Sequence, residues 1–465
     1  VALPEPPLYY YDGQVLDEDY VYGSFIQSKM HLAGVVCSNC HEPHSLALRA
    51  PGNGVCAQCH VPQQYDTPEH HHHPGESSGA LCANCHMPET TYMGVDPRRD
   101  HSMRVPRPDL SVTMGIPNAC NSCHQDKTAQ WALDSTRNWG VQYRDTGRHP
   151  ARAFQRFDLG DRSLVPVIAA LANDPEAAPI WRATALETLG QAGGREAIQS
   201  VTAVLYDDDP ILRSSAVRSL QFLPLHQRYQ LLQPLMEDEV DTVRMEVAQS
   251  LAGVPLDQVS PEQARALAKL FTWYLGILEI HADMPETQLQ KGVFYVERGD
   301  LPSAEAAYRE ALLLNHQLVP AYLNLADLLR SQNRDDEARQ LMLEVLQFAP
   351  DNAPTLHSLG LLEARSGTPE KALEYLGKAA ALETDGSRHR FVYAIALHDL
   401  GQPQEAVRQL QSLLQQLPRS EEVLLALANY TAELGQRDKA RGYARTLTEI
   451  SPGNTAYQEL LQTLK

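Results

Sequence analysis

Four times in the first 124 residues, two cysteines separated by two residues are followed at once by a histidine. The motifs are Cys37-Ser38-Asn39-Cys40-His41, Cys56-Ala57-Gln58-Cys59-His60, Cys82-Ala83-Asn84-Cys85-His86 and Cys120-Asn121-Ser122-Cys123-His124. Together they contain all eight cysteines of the chain. Two thiols at this spacing reach the two vinyl groups on one edge of a porphyrin and form thioethers, and the adjoining imidazole then meets the iron as proximal ligand. The pattern predicts four c-type hemes, held through Cys37, Cys40, Cys56, Cys59, Cys82, Cys85, Cys120 and Cys123 and ligated by His41, His60, His86 and His124. Zinc, disulfides or redox thiols would account for the paired cysteines but not for the histidine after each pair.

A six-coordinate iron needs a second axial ligand on its other face. Seven further histidines lie in the same region: His31, His44, His70, His71, His72, His73 and His101. Supply exceeds demand, which favours bis-histidine coordination throughout. The candidate distal ligands are His44, His70, His73 and His101, with His31, His71 and His72 as alternatives. His44 follows His41 too closely to serve the same iron from the opposite side, so it would reach a neighbouring heme. Alternate residues of an extended segment point to opposite sides, so the run from His70 to His73 can feed two hemes. The nearby methionines Met30, Met87, Met93, Met103 and Met114 are expected to pack against porphyrin faces. Arg98, Arg99, Arg104 and Arg107 are candidates to pair with heme propionates, because guanidinium matches carboxylate bidentately.

The elements that must position these groups are short. At about 30 residues per heme the chain cannot build an ordinary core, so the porphyrins themselves are expected to be the core. Turn-forming Pro and Gly, as in Pro51-Gly52-Asn53-Gly54 and Pro74-Gly75, fit short helices around each attachment site with little sheet. The expected fold is mainly α: an irregular, heme-packed tetraheme cytochrome c domain at 1–135, a linker at 136–160, and an α-solenoid beyond.

Several stretches resemble the multiheme c-type cytochromes whose tetraheme domain is fused to helical repeats. They are Gly23-Ser24-Phe25-Ile26-Gln27-Ser28-Lys29-Met30, Cys40-His41-Glu42-Pro43-His44-Ser45, Cys85-His86-Met87-Pro88, Asp96-Pro97-Arg98-Arg99-Asp100-His101-Ser102, and Arg107-Pro108-Asp109-Leu110-Ser111 through Pro117-Asn118-Ala119-Cys120. The resemblance covers residues 8–135. It implies electron transfer through closely packed, mostly bis-histidine hemes, with His44, His101 and two members of the His70–His73 run as distal ligands. Related tetraheme domains also polymerise into extracellular conducting filaments, so a homopolymer is one form the resemblance allows.

The remaining chain has no cysteine and two periodicities. Arg182, Arg213 and Arg244 recur every 31 residues, each followed by a small or β-branched apolar residue (Ala185, Ala216, Val247) and then by Leu189, Leu220 or Leu251. This predicts HEAT-like helix pairs at 161–255. A connecting helix is expected at 256–284. From there the period is 34: Ala304, Ala338, Ala372, Ala406 and Ala440 recur in step with Gly299, Asn333, Gly367, Gly401 and Gly435. That is the tetratricopeptide pattern, five repeats and a C-terminal cap helix over 285–465. Repeat arrays present extended surfaces, so a protein or peptide ligand is expected there.

A net charge of −19 argues against nucleic-acid binding and against a polybasic membrane anchor. No apolar stretch is long enough for a membrane span. No Walker-type phosphate loop or zinc-protease motif occurs. The start, Val1-Ala2-Leu3-Pro4, reads as a processed mature terminus. Because c-type heme is attached after export, a periplasmic, cell-surface or extracellular location is expected, with redox proteins as partners. The function expected is that of an electron carrier rather than a catalyst. The alternative is a multiheme oxidoreductase of the nitrite or hydroxylamine type, using one heme with an open coordination position.

Overall fold

The computed structural model describes residues 2–143, 149–382 and 388–464. Residues 144–148 of the expected linker, and 1, 383–387 and 465, lie outside the described residues. The chain divides into two compact units, Val1–Phe157 with Leu164–Phe222, and Asp158–Ser163 with Leu223–Lys465.

The fold is mainly helical. In the first unit the helices before residue 125 are one or two turns long, as Pro- and Gly-punctuated sequence dictates. A single two-stranded antiparallel hairpin, Glu89–Tyr92 with Asp96–Arg99, interrupts them among the described residues. Longer helices follow: Ala129–Asn138, Ala151–Asp158, Val165–Ala172, Pro179–Ala192, Gly194–Val204 and Pro210–Arg218. The last begins as capping chemistry requires, with Pro210 at its first position and the Asp209 carboxylate accepting from the Ile211 N–H at 2.8 Å. The recurring apolar positions Ala185, Ala216, Leu189 and Leu220 are wholly buried. The recurring arginines tie loops down: Arg182 donates to the Ala172 carbonyl at 3.1 Å, and Arg213 to the carbonyls of Asp207 and Asp208 at 2.9 and 3.1 Å.

The second unit repeats the same devices. Arg244 donates to Asp241 at 2.6 Å and lies 3.6 Å over the Trp273 ring. The connecting helix Pro261–Glu279 opens on a reciprocal cap between Ser260 and Gln263. Then come helical hairpins: Pro285–Glu297 with Leu301–Leu314, Val319–Ser331 with Asp335–Phe348, Ala353–Arg365 with Pro369–Leu382, Arg388–Asp399 with Pro403–Gln416, and Glu421–Glu433 with Arg437–Ile450. The helix Thr455–Thr463 closes the series. Each hairpin turns on a residue in the left-handed region, with φ between 61° and 84° at Gly299, Asn333, Gly367, Gly401 and Gly435. Only Gly, and less readily Asn, takes that conformation cheaply. The alanines in register with them, Ala304, Ala338, Ala372, Ala406 and Ala440, are wholly buried where paired helices touch.

One polar clamp joins the last two hairpins. The His398 ring stacks on Tyr430 with centroids 3.6 Å apart, and its nitrogens meet Glu433 at 2.6 Å and Asp399 at 3.1 Å. Burial disfavours the imidazolium, but the two carboxylates outweigh it and hold the His398 pKa above its ordinary value. A group whose folded pKa is raised stabilises fully below its unfolded pKa, about 6.5, and loses that contribution as pH climbs through the folded value. The melting temperature of the full chain is therefore expected to fall as pH rises through that interval. His398→Gln should flatten this dependence, as followed by circular dichroism across a pH series; an identical pH profile for the two proteins would exclude the clamp.

Candidate functional site

Each Cys-x-x-Cys-His motif sits on a short helix: Cys37–Cys40, Gly52–Gln58 (a 3₁₀ turn reaching into its motif), Cys82–His86 and Ala119–Cys123. Helical spacing brings residues i and i+3 to one face, which is where two thiols must stand to meet one porphyrin edge. Asparagines hold the helix starts. The Asn39 carbonyl accepts from the Val36 N–H at 2.8 Å, and Asn118 accepts from the Asn121 N–H at 3.2 Å while donating to Ser111 Oγ at 2.9 Å.

Motifs adjacent in sequence are adjacent in space. Helix Cys82–His86 packs against both the Gly52–Gln58 turn and helix Ala119–Cys123. At the thiols, Cys40 lies beside Cys59, Cys56 beside Cys82, and Cys85 beside Cys120. Burial first, then the neighbouring thiols, push Cys40, Cys56 and Cys85 up, Cys56 to about 11. The four attachment points thus form an unbranched series in chain order.

The histidines fall into facing pairs. His41 and His101 have ring centroids 6.3 Å apart, His70 and His86 6.2 Å, and His73 and His124 6.1 Å, with interplanar angles of 33°, 18° and 30°. Two metal–imidazole bonds of about 2.0 Å, plus about 1.1 Å from each nitrogen to its ring centre, require about 6.2 Å. The Nδ1 atoms are turned to backbone carbonyls: His41 to Leu46 and His86 to Arg104, both at 2.8 Å, His101 to Arg99 at 2.8 Å, and His73 to His71 at 2.5 Å. An imidazole held in this way has Nε2 as its free nitrogen, the arrangement that orients metal-ligating histidines. Among the described residues no three His, Cys, Asp or Glu side chains converge on a bare ion. A porphyrin iron needs only an opposed pair.

The other histidines are placed differently. His60 has the Tyr65 ring edge-on at 5.6 Å, and Tyr65 in turn meets His70 at 5.5 Å. His44 is exposed in a turn where the Glu42 carboxylate accepts from its N–H at 3.0 Å. His31 packs against Phe25, His72 stacks on Trp139 with centroids 4.2 Å apart, and His71 accepts from the His73 N–H at 3.2 Å. Burial is equally telling. Between Ser28 and Ala80 not one residue is buried, although Leu32, Val36, Leu46, Leu48 and Val61 are all apolar and exposed. Such a stretch holds its shape only against something other than its own side chains.

The four arginines have protein partners. Arg98 meets Asp96 and Glu18, Arg99 donates to the Met87 carbonyl and to Asn84, and Arg107 forks onto Asp109. Arg104 pairs with Asp12 at 3.2 Å, whose side chain is 1% exposed, and its own carbonyl is the partner of His86. The N-terminal segment is thereby tied to the orientation of His86. Sequence reasoning missed Tyr65, Trp131 (4.8 Å from His124) and Asn53, whose side chain bridges two motifs. Asn53 stands in a turn-rich run that signals only a bend. The chain has four tryptophans, so Trp131 seven residues beyond His124 was the one available hint.

Comparison with known proteins concerns the body of the chain. The HEAT-repeat family matches residues 148–221 and 164–252. One tetratricopeptide-repeat family matches 277–360 and 397–464, and another matches 357–421. The body consists of HEAT and tetratricopeptide repeats. A TPR repeat-containing protein of Methanocaldococcus jannaschii, MJ1428, is 27% identical over 191 residues, covering 37% of this chain and 33% of that protein. The chain thus spans about a third of that relative's length. The type IV pilus assembly protein PilF of Pseudomonas aeruginosa is 27% identical over 188 residues, 39% of this chain and 73% of that protein. The solved structure of YrrB, described as a TPR protein with an unusual peptide-binding site, aligns at 20% identity over 40% of this chain and 97% of its own, with a TM-score of 0.33.

Arg104 keeps Asp100 at 3.8 Å when the Asp12 carboxylate is removed, so what is lost is a buried hydrogen bond between charged groups, which costs about 1.5–3 kcal/mol. Asp12→Ala is expected to destabilise the first unit on that scale, read as a lowered denaturant midpoint. A loss below about 1 kcal/mol, the level of an exposed pair, would contradict the anchoring of Arg104.

Proposed function

We propose that residues 1–135 carry electrons singly along four covalently attached c-type hemes, and that the HEAT and tetratricopeptide repeats bind protein or peptide partners. The observation that carries the electron-transfer reading is the three histidine pairs at 6.1–6.3 Å. Two independent features support it: the lack of buried residues between Ser28 and Ala80, and the unbranched series of attachment points. When bound, each heme supplies a one-electron couple that neither histidine nor cysteine offers by itself.

The residues have separable tasks. The eight cysteines anchor, so the groups cannot dissociate. His41 with His101, His86 with His70, and His124 with His73 would hold three of the irons. The carbonyls of Leu46, Arg104, Arg99 and His71 fix ring orientation and raise ligand basicity. The contact between Cys56 and Cys82 keeps the second and third groups close. His44 is a distal ligand by resemblance, and the iron of His60 is the one left for it once the three pairs are assigned. Thioether formation after export assigns the protein to the periplasm, cell surface or medium. No helix among the described residues is long and apolar enough to cross a membrane.

One observation favours a second reading at a single position. The ring beside His60 belongs to Tyr65, not to a histidine. If His44 does not reach that iron, the second heme keeps an open position where a small ligand such as nitrite or hydroxylamine could bind, and the protein becomes an oxidoreductase.

The intact mass of native protein is expected to exceed the chain by four hemes; a mass matching the bare chain would end both readings. Low-temperature EPR of the oxidised protein should then show only low-spin irons, and a stoichiometric high-spin signal sensitive to nitrite would select the oxidoreductase. Replacing His70, His73 or His101 by Ala should each convert one low-spin iron to high spin, whereas His71→Ala and His72→Ala should not.

A further inference from the structure

We propose that Asn53 is the positioning residue that sets the relation between the second and third hemes, an inference that rests on the cytochrome reading above. Asn53 stands three residues before Cys56 on the Gly52–Gln58 turn. Its carbonyl oxygen accepts from the Cys82 N–H at 2.9 Å, and its amide donates to the Ala80 carbonyl at 2.9 Å and to Asp66 Oδ1 at 2.8 Å. Cys82 is the first residue of its helix, so that N–H is one of the donors a helix start leaves without an intrahelical partner.

An amide offers two donors and one acceptor oxygen, and here both donors and the acceptor are engaged. The three partners belong to three different segments: the start of the third motif, the turn before it, and the helix Pro62–Tyr65 that ends beside Asp66. A residue on the second motif therefore grips the third from two directions at once. The consequence appears at the sulfurs, where Cys56 lies beside Cys82. Those atoms are the covalent handles of two different porphyrins, so whatever fixes their separation fixes how closely the two groups approach. Elsewhere the link is looser: between the first and second motifs Gln58 reaches the Asn39 carbonyl at 3.5 Å. Asn53 touches no iron ligand directly; it acts through the two attachment points.

The test uses full-length, heme-loaded protein carrying Asn53→Ala, with Asn53→Gln as a second neutral variant that keeps the polar groups but displaces them. The variants are expected to keep four hemes by intact mass, while two of the four reduction potentials in a spectroelectrochemical titration shift and the other two stay fixed. If Asn53→Ala loads fewer hemes, the same pattern is read from Asn53→Gln. Four unchanged potentials, or four that move together, would overturn the proposal. Wild-type protein without heme would instead defeat the cytochrome reading itself, so the two failures are distinguishable.

Discussion

Two imidazoles about 6 Å apart make almost no contact with each other, since dispersion between carbon atoms is best at about 3.5–4.0 Å. When Nδ1 of each is tied to a carbonyl, the remaining nitrogens are acceptors, and two acceptors facing one another repel unless a positive centre lies between them. In the pair His41 with His101 both rings are tied in this way, and in each of the other pairs one ring is, His86 or His73. His124 shows it least directly, being braced by Trp131 rather than by a carbonyl. Spacing of this kind costs free energy in a metal-free protein and becomes favourable around iron. Under the proposed cytochrome reading the head depends on that balance, because the residues between Ser28 and Ala80 bury no side chain that could impose order.

Order in the head is therefore transmitted from outside that section. The β-hairpin Glu89–Tyr92 with Asp96–Arg99 ends just before His101 and delivers it to His41, while Arg99 reaches back to Asn84 inside the third motif. The N-terminal residues act similarly: Asp12 holds Arg104, and Arg104 holds His86. Three of the arginines named as propionate candidates, Arg98, Arg99 and Arg104, brace one segment against another, a use for which the planar guanidinium fork suits them equally well, while Arg107 pairs locally with Asp109. The two roles differ in what they need from the neighbourhood, and the carboxylates of Asp12, Asp96, Asp100 and Asp109 supply the protein-internal one.

What was legible in the sequence was whatever repeats. The 34-residue period located the turn with positive φ and one wholly buried alanine in each of the five tetratricopeptide hairpins, because each of those positions solves the same steric problem five times. The 31-residue spacing located the arginines that tie loops to helices for the same reason. The histidines of the four Cys-x-x-Cys-His motifs were legible as a set because each follows its cysteine pair at the same position. Which distal histidine faces which proximal one was not, since it depends on contacts between segments far apart in the chain. His101 and His41 are separated by 60 residues, and no periodicity connects them. His70 and His73 emerge from a run of four histidines only because His72 adopts φ 56° and turns onto Trp139, leaving its neighbours to opposite sides. An extended run would have separated alternate residues; the left-handed turn separates residues three apart.

The same logic explains why the head and body are built so differently. In the repeats, stability comes from nearest-neighbour packing that any further repeat can extend, so the sequence tolerates drift outside the small and turn positions. In the head each short helix is held by one or two side chains, such as Asn39, Asn53 or Asn118, and by the pairs of rings. Losing one of these removes the sole support of an attachment point instead of one contact among many. The proposed electron relay would require that stiffness, because the separation between neighbouring groups would set the relay, and a separation left to flexible loops would vary with every fluctuation. The repeats, free of that demand, can vary their exposed faces to suit a partner without disturbing the spacing of the sites in the head.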